Sequence, residues 1–411
     1  MRICLVSRKV NLTGGIARYT FELCRFLARR EHEVHLYVGH YDAPRIEGLA
    51  VHRVPMIYGT IFERMGLHAL ANLFQVTTFS LASLLMVPGG KYDIVHVQGD
   101  SLVMPDVRTA HSCHLYWIGM ARKQARGLAG KLAKSLLNPL HMVITFIELK
   151  DLRNSSKVIA VSKRTADEIT EAYGTDPGRI VAIPNGVDTV LFNPAGRDRW
   201  RGPVREEYGI GAGDRVLIFV AAEFGRKGLG VLLDAIGDIE AADGPETVLL
   251  VVGKDRPDEY EQRIRDSGLR TRVIFTGHLS GVERIFAAAD IFVLPSIYEP
   301  FGLVLTEAMA SGLPVVTTDR VGAASLIEDG RTGFVIGSGD IRAGLARVLK
   351  LLIGDPDRAR TVGREARAFI EGLTWDDVGA MTEKVYLEIA EKRTGGPAGD
   401  GRDAGASAQA P

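Results

Sequence analysis

Short apolar runs recur along this chain, separated by stretches in which apolar residues return every three or four positions. Residues 2–7, RICLVS, form the first run. Ile16, Tyr19, Leu23, Phe26 and Leu27 then mark one face of a helix over 15–29, and EVHLYV at 33–38 supplies a second run. The series continues with IVHV (94–97), VRTA (107–110), KVIAVS (157–162) and RIVAIP (179–184), with helical stretches between several of them. Continuous apolar strands are those covered on both faces, as in a parallel sheet between two helical layers. The pattern therefore predicts a doubly wound α/β domain.

Residues 193–215, NPAGRDRWRGPVREEYGIGAGDR, are polar and rich in Gly, Pro and Arg, and are read as a boundary with no stretch fit to line a core. The alternation then restarts with VLIFVA (216–221), TVLLVV (247–252), RVIFT (272–276), IFVLP (291–295) and PVVTT (314–318). The expected division is a first domain over 1–195, a second over 196–372, and a last helix over 373–392 returning to the first domain. The tail from 393 has only small and polar side chains at its end and is expected to be disordered. Two such domains imply a cleft between them, where ligands sit beyond the strand carboxyl ends.

Composition narrows the partners. Lys plus Arg equals Asp plus Glu at 50 each in 411 residues, so net charge gives no reason to expect nucleic acid. Cys4, Cys24 and Cys113 are too few and too scattered for a disulfide framework or zinc cluster, which points to a reducing, cytoplasmic setting. MRICLVSRKV has no secretory-signal pattern and reads as a first strand.

Three stretches carry candidate chemistry. EPFGLVLTE (299–307) follows the strand IFVLP and opens a helix near Phe301 or Gly302 that stops at Gly312 and Pro314. The first N–H groups of such a helix have no intrahelical partner and, with its dipole, favour an anion such as a diphosphate. Gly302 allows close approach. Glu299 then lies in the loop at the cleft and Glu307 on the helix, each able to accept bonds from sugar or ribose hydroxyls. A Glu early in a helix also simply complements the dipole, worth under about 1 kcal/mol. FVAAEFGRKGLG (219–230) places Arg226 and Lys227 in a loop directly after a strand, a phosphate site or a solvated basic turn. NLTGG (11–15) opens a helix in the other domain, a weak signal alone because turns need glycine.

Together these residues resemble the family 4 glycosyltransferases, the retaining group with the GT-B fold, over nearly the whole chain. EPFGLVLTEAMASGLPVV is similar to the family's E-x7-E signature, and FGRKG to its basic phosphate loop. VIAVSKRTADEI, IPNGVDTVLFNP, DIVHVQGD and RTAHSCH resemble other family segments, and FGRKG with VVGKDRPDEY is closest in flavour to transferases that build lipopolysaccharide cores. The resemblance implies a nucleotide-sugar donor, UDP-linked in preference to GDP-mannose, held by the second domain. It also implies a glycan or lipid-linked acceptor held by the first.

By the same resemblance, Glu307 would bind the ribose, Glu299 the transferred sugar, and Arg226 and Lys227 the diphosphate. The amides of Phe301, Gly302 and Leu303 would reach the phosphates or sugar, Gly15 would approach the same group, and His111 would sit near the reacting sugar. The base would lie near Thr276, His278 and Leu279. Many members carry a further Arg five or six residues before the Lys, where this chain has Ala222 and Ala221, so Arg226 is left as its substitute.

Cleavage of such a donor puts negative charge on the leaving phosphate, which preorganised cations and helix amides stabilise. Front-face attack, the mechanism usually proposed for the family, needs no protein nucleophile; double displacement through Glu299 is the competitor by analogy with retaining glycosidases. No metal or cofactor is expected. The Asp355-Pro356-Asp357 triplet falls between helices, and His111 with His114 lacks further ligands nearby. An NAD-binding oxidoreductase is disfavoured because no G-x-G-x-x-G follows the first strand. A GT-B-type epimerase and a non-catalytic glycan-binding protein stay as alternatives.

Two segments raise the question of membranes. ALANLFQVTTFSLASLLMVP (69–88) is long enough to span, but Asn72, Gln75 and several Ser and Thr interrupt it, which predicts a buried covering helix. ARKQARGLAGKLAKSLLNPLHMVITF (121–146) carries Lys and Arg but no acid before its apolar part, which fits either a solvated helix or one lying on an anionic surface. Peripheral attachment to the inner face of the cytoplasmic membrane is the corresponding expectation.

Overall fold

The computed structural model describes residues 1–99, 101–125, 127–135, 137–240 and 246–394, so the expected tail lies, from 395 on, outside the described residues. The first domain runs β1 (Arg2–Asn11), α1 (Gly15–Arg29), β2 (Glu33–Asp42), β3 (Leu49–Arg53), α2 (Thr60–Arg64), α3 (His68–Met86), β4 (Ile94–Val97), β5 (Val107–Ala110), α4 (His114–Gln124), α5 (Gly127–Ala133), α6 (Pro139–Asn154), β6 (Lys157–Ala160), α7 (Lys163–Tyr173) and β7 (Ile180–Ala182). The second runs α8 (Gly196–Glu207), β8 (Arg215–Val220), α9 (Phe224–Lys227), α10 (Leu229–Gly237), β9 (Thr247–Val252), α11 (Asp258–Ser267), β10 (Arg272–Gly277), α12 (Val282–Ala288), β11 (Ile291–Leu294), α13 (Leu303–Ala310), β12 (Val315–Thr318), β13 (Phe334–Ile336), α14 (Ile341–Gly354) and α15 (Pro356–Ile370). A final helix, α16, spans Trp375–Thr394.

The sheet orders are β3-β2-β1-β4-β5-β6-β7 and β10-β9-β8-β11-β12-β13, with every pairing parallel. Both are doubly wound. The chain leaves each sheet's middle in one direction and returns to build the other half, so β1/β4 and β8/β11 are switch points where a crevice opens beyond the strand ends. Burial follows the apolar runs: β9, TVLLVV, is buried from Val248 to Val252, and all four residues of β11 are buried. Two of the four edge strands, β3 and β13, lie outside the predicted series. β3 is half exposed and lacks a continuous apolar run, and β13 has only three residues.

Three expectations need correction. The 193–215 stretch is not devoid of core residues: α8 buries Val204 and packs on α12, while Arg197, Arg201 and Arg205, four residues apart, converge on Asp290. The segment 121–146 is not one helix. It breaks after Gln124 and again before Pro139, where Asn138 caps Leu140 N–H at 3.0 Å, because proline fits only a helix's first turn. The helix expected to be buried at 69–88 is α3, and only one face of it is covered.

The domains touch on both sides of the cleft. At the amino end of α7, Ser162 Oγ donates to Pro300 O at 2.8 Å, Thr165 Oγ1 to the same oxygen at 3.3 Å, and Arg164 to Asp319 O at 3.0 Å. Tyr298 OH donates to Glu168 Oε2 at 3.0 Å. α16 lies along α1: His32 bonds Glu383 at 2.7 Å, and Tyr386 is buried against His96.

Candidate functional site

The FGRKG turn follows β8 and the EPFG turn follows β11, so both stand at the second sheet's switch point. Gly228 closes the first turn at φ +85°, where a Cβ would lie 2.2 Å from Pro295 O; only glycine lets the two loops meet. The contact is then fixed by Ile297 N–H donating to Arg226 O at 2.9 Å and by Arg226 Nη1 donating to Tyr298 O at 2.7 Å. Glu299 is thereby delivered onto Lys227, whose ammonium pairs with its carboxylate, and Arg226 Nη1 stands 3.5 Å from the same carboxylate.

Arg226 is also held by Glu223, its Nε 3.1 Å from Oε2. Much of its guanidinium is therefore engaged within the loop, and Lys227 is the cation with the fewest protein ties. Burial, followed by the neighbouring Arg226 charge, pushes the Lys227 ammonium down to about 7, with Glu223 opposing. The Glu299 carboxylate in contact with it also works against that fall.

α13 starts at Leu303, with Gly302 as its cap at φ +96° and no side chain capping it. A Cβ on Gly302 would meet Val321 Cγ1 at 3.0 Å and Glu299 Cγ at 3.2 Å. The carbonyls of Glu299 and Phe301 accept from Gly322 and Ala323 N–H, both at 2.8 Å, which ties the turn to the short 3-10 helix (Gly322–Leu326) that follows β12. The amides of Phe301, Gly302 and Leu303 have no backbone acceptor among the described residues. They form an open donor set beside Lys227 and Glu299.

Gly15, the first residue of α1, lies across the cleft: a Cβ there would come within 3.6 Å of Leu303 Cδ1. The two glycine-opened helices of the two domains therefore face each other. Glu307, one turn into α13, faces Arg18 of α1 at 3.9 Å, beyond hydrogen-bond reach. Burial pushes its carboxyl up to about 7; Arg18 opposes the rise, and Glu283 and Asp188 add to it. Arg18 also stands 3.8 Å from Glu22, 3.7 Å from Asp188 and 6.0 Å from the Trp375 ring centre, and its Nε is buried without a hydrogen bond.

Thr276 ends β10, and its Oγ1 donates to Gly277 O at 3.1 Å; His278 is exposed and Leu279 packs on the core. These residues lead into α12, whose Glu283 adds to the rise of the Glu307 carboxyl. His111 sits beyond β5. Its Nε2 lies 2.9 Å from Gln98 Oε1 and the Tyr19 ring edge packs on it, so its contacts stay within the first domain. Burial holds the imidazole neutral, pushed down to about 3, with Arg108 adding to the effect. Gln98 is bonded in turn to His96 at 3.1 Å, and His96 to Thr109 at 2.7 Å.

The structure thus gathers Glu299, Arg226, Lys227, Phe301, Gly302 and Leu303 at one turn, with Gly15 across from Leu303 and Glu307 across from Arg18; Thr276, His278 and Leu279 lie at and beyond the end of β10, and His111 lies beyond β5 among first-domain partners. Sequence reading missed Arg18, Tyr298, Glu168 and Gln98. Arg18 is three residues after Gly15 and looks like any polar position on an amphipathic helix; its partners come from other elements. Among the described residues no group of three or more His, Cys, Asp or Glu side chains is placed to hold a metal ion.

Two sequence profiles match the chain: one described as glycosyl transferases group 1 over residues 201–369, the other as glycosyltransferase family 4 over residues 13–191. An uncharacterised glycosyltransferase of Methanocaldococcus jannaschii is 26% identical over 94% of this chain and 98% of its own length. Among solved structures, WaaG, described as a glycosyltransferase involved in lipopolysaccharide biosynthesis, superposes with a TM-score of 0.73 at 22% identity, over 96% of this chain and 100% of that one. HepE of Anabaena, solved in complex with UDP and glucose, superposes with a TM-score of 0.64 at 20% identity, over 94% and 100% of the two chains. At such identities the structural likeness speaks for the fold.

Proposed function

The chain belongs to the group 1, family 4 glycosyltransferases of GT-B fold, and from that premise we propose a retaining hexosyltransferase that uses a UDP-sugar, in preference to GDP-mannose, and delivers the sugar to a hydroxyl of a lipid-linked or cell-envelope glycan. The observation that carries the reading is the meeting of Lys227 and Glu299 beside the uncapped start of α13, opposite Gly15. A diphosphate on the α13 amides and Lys227 puts its ribose toward Glu307 and its sugar toward Glu299. The HepE complex with UDP and glucose supports the choice of nucleotide, and the description of WaaG supports an envelope acceptor.

In this reading the acceptor hydroxyl attacks the anomeric carbon on the face from which the phosphate leaves. The C1–O bond to phosphate breaks, the new C1–O bond forms, and the departing phosphate oxygen takes the acceptor's proton. Charge on the leaving group is met by Lys227, Arg226 and the amides of 301–303, with no metal or cofactor in the scheme. Neutral His111 offers a hydrogen-bonding nitrogen to the sugar without a competing charge. A lipid-linked acceptor would be met at a membrane, and the acid-free stretch 121–146 supports peripheral attachment to the inner face of the cytoplasmic membrane.

Thermal-shift titration with UDP, GDP, ADP and their sugar conjugates tests the reading. Ligand at roughly 100 times its dissociation constant adds about 2.7 kcal/mol to stability. A shift with one nucleotide family that is lost in Lys227→Ala and Glu307→Ala supports it; no shift with any of them sinks it.

A further inference from the structure

Helix α3 is built inside out. Three of its polar residues face the domain: Gln75 is buried with Nε2 donating to Tyr58 O at 2.7 Å, Ser83 is buried with Oγ 3.1 Å from Ser101 Oγ, and Ser80 is buried between them, while His68 and Asn72 near the amino end are exposed. Its leucines face out, with Leu81 half exposed and Leu85 86% exposed. A helix whose other side met water would gain by the reverse arrangement, since each buried leucine is worth roughly 1.5–3 kcal/mol. The outward face is therefore matched to an apolar surrounding.

The same surface continues onto its neighbours. α3 packs on α6 and α2, and α6 on α4, which carries α5. On these, Ile61, Leu137, Met142 and Phe146 are all more than half exposed. Contiguous apolar surface on this scale marks an interaction site. Charge identifies the partner. Residues 64–92 and 107–147, which form most of this layer, contain no Asp or Glu, in a chain with 50 acids elsewhere, while Arg64, Lys91, Arg122, Lys123 and Lys131 are exposed there. The acid of α2, Glu63, is tied to Gln75 of α3 at 3.2 Å, and outward leucines bordered mainly by cations suit an anionic lipid surface better than the mixed-charge surface of a protein.

We propose that this layer, with α3 at its centre and the α5–α6 segment beside it, is a docking face for an anionic membrane on which the protein lies without crossing. α3 is long and apolar enough to span, but its other face covers the first sheet, burying Ala71, Val76 and Phe79. Its role in acceptor capture rests on the transferase reading given above, whereas the face itself rests on burial and charge alone. The face also adds α3 to the site that 121–146 alone suggested.

The test is sedimentation of the full chain with vesicles of phosphatidylcholine alone and with phosphatidylglycerol at one third, at low and high salt. The expected result is binding to the anionic vesicles only, weakened about tenfold or more by the double substitution Leu81→Gln/Leu85→Gln and by salt. Both leucines are exposed, so the variant should fold, and an unchanged nucleotide-induced thermal shift would show that it has. No binding to either vesicle, or binding that the double variant leaves unchanged, overturns the docking face and leaves the transferase reading standing. Vesicle binding without any nucleotide shift leaves the face standing and removes the transferase reading. A concentration-dependent dimer abolished by Leu81→Gln/Leu85→Gln, with no vesicle binding, would assign the face to a second copy of the chain and overturn the proposal.

Discussion

The two ends of the 299–307 segment hold the same side chain in opposite electrostatic settings. Glu299 is neutralised by Lys227 in direct contact and by Arg226 at 3.5 Å, whereas Glu307, partly buried to the same degree, has its nearest cation, Arg18, at 3.9 Å and no hydrogen bond to its side chain among the described residues. The first carboxylate is already satisfied; the second is short of donors. A carboxylate kept without donors in a crevice destabilises the free protein and is relieved when a ligand brings hydroxyl groups to it. On the proposed reading, the difference separates an end whose charges meet a phosphate from an end that meets neutral hydroxyl donors.

The contrast can be broken most directly at the phosphate end. Lys227→Ala removes a buried cation and should lower affinity for the cognate nucleoside diphosphate about a hundredfold in calorimetry, on the scale of a charge-assisted bond of about 3 kcal/mol. Unchanged affinity would mean that the ammonium serves only Glu299.

At the other end, Glu307→Gln should stabilise the ligand-free protein at high pH while weakening nucleotide binding. The carboxyl is pushed up to about 7 from an ordinary 4.5, so between those values the folded state holds the proton more firmly than the unfolded state. Wild-type stability from this group is therefore greatest below 4.5 and falls as pH rises to 7. The gain in Glu307→Gln should approach about 3 kcal/mol at pH 8 and vanish near pH 4, measured by denaturation. Equal stability of the two proteins at pH 8 would refute a strained Glu307.

Tyr298→Phe tests the strap that delivers Glu299. It deletes the hydroxyl donor to the buried Glu168 carboxylate and should cost about 1–3 kcal/mol. A smaller effect than on any exposed tyrosine substitution would deny the contact a structural role.

The finest test is pH dependence of nucleotide affinity. Binding to ionised Glu307 should improve as pH rises through 7, and loss of the Lys227 charge should weaken binding at or above 7, giving a maximum near neutrality. Glu307→Gln should remove the acid limb, and Arg18→Met, which deletes the cation opposing the rise, should move that limb upward. An acid limb that persists unchanged in Glu307→Gln would assign it to another group.

Much of the fold was legible in sequence because the signals are local. The apolar runs became β1, β2, β4 to β7 and β8 to β12, and the apolar positions of 15–29 became α1, although Ile16 proved half exposed at the cleft rim. The edge strands β3 and β13 and the helix α8 escaped because each is held by tertiary partners that no local pattern shows, as Asp290 holds three arginines of α8. α3 was misjudged for the same reason: hydropathy fixes how apolar a helix is, whereas which side meets the core depends on what packs there.

The residues of the cleft divide in the same way. Gly228, Gly302 and the unpaired start of α13 follow from chain geometry, since glycine favours those backbone angles and every helix begins with amides that lack partners, so FGRKG and EPFG point in sequence to the anion site proposed above. The differing states of Glu299 and Glu307, the place of Arg18, and the outward leucines of α3 depend on distances between elements far apart in the chain. Burial and Coulomb interaction act through space, and only the packed structure sets that space.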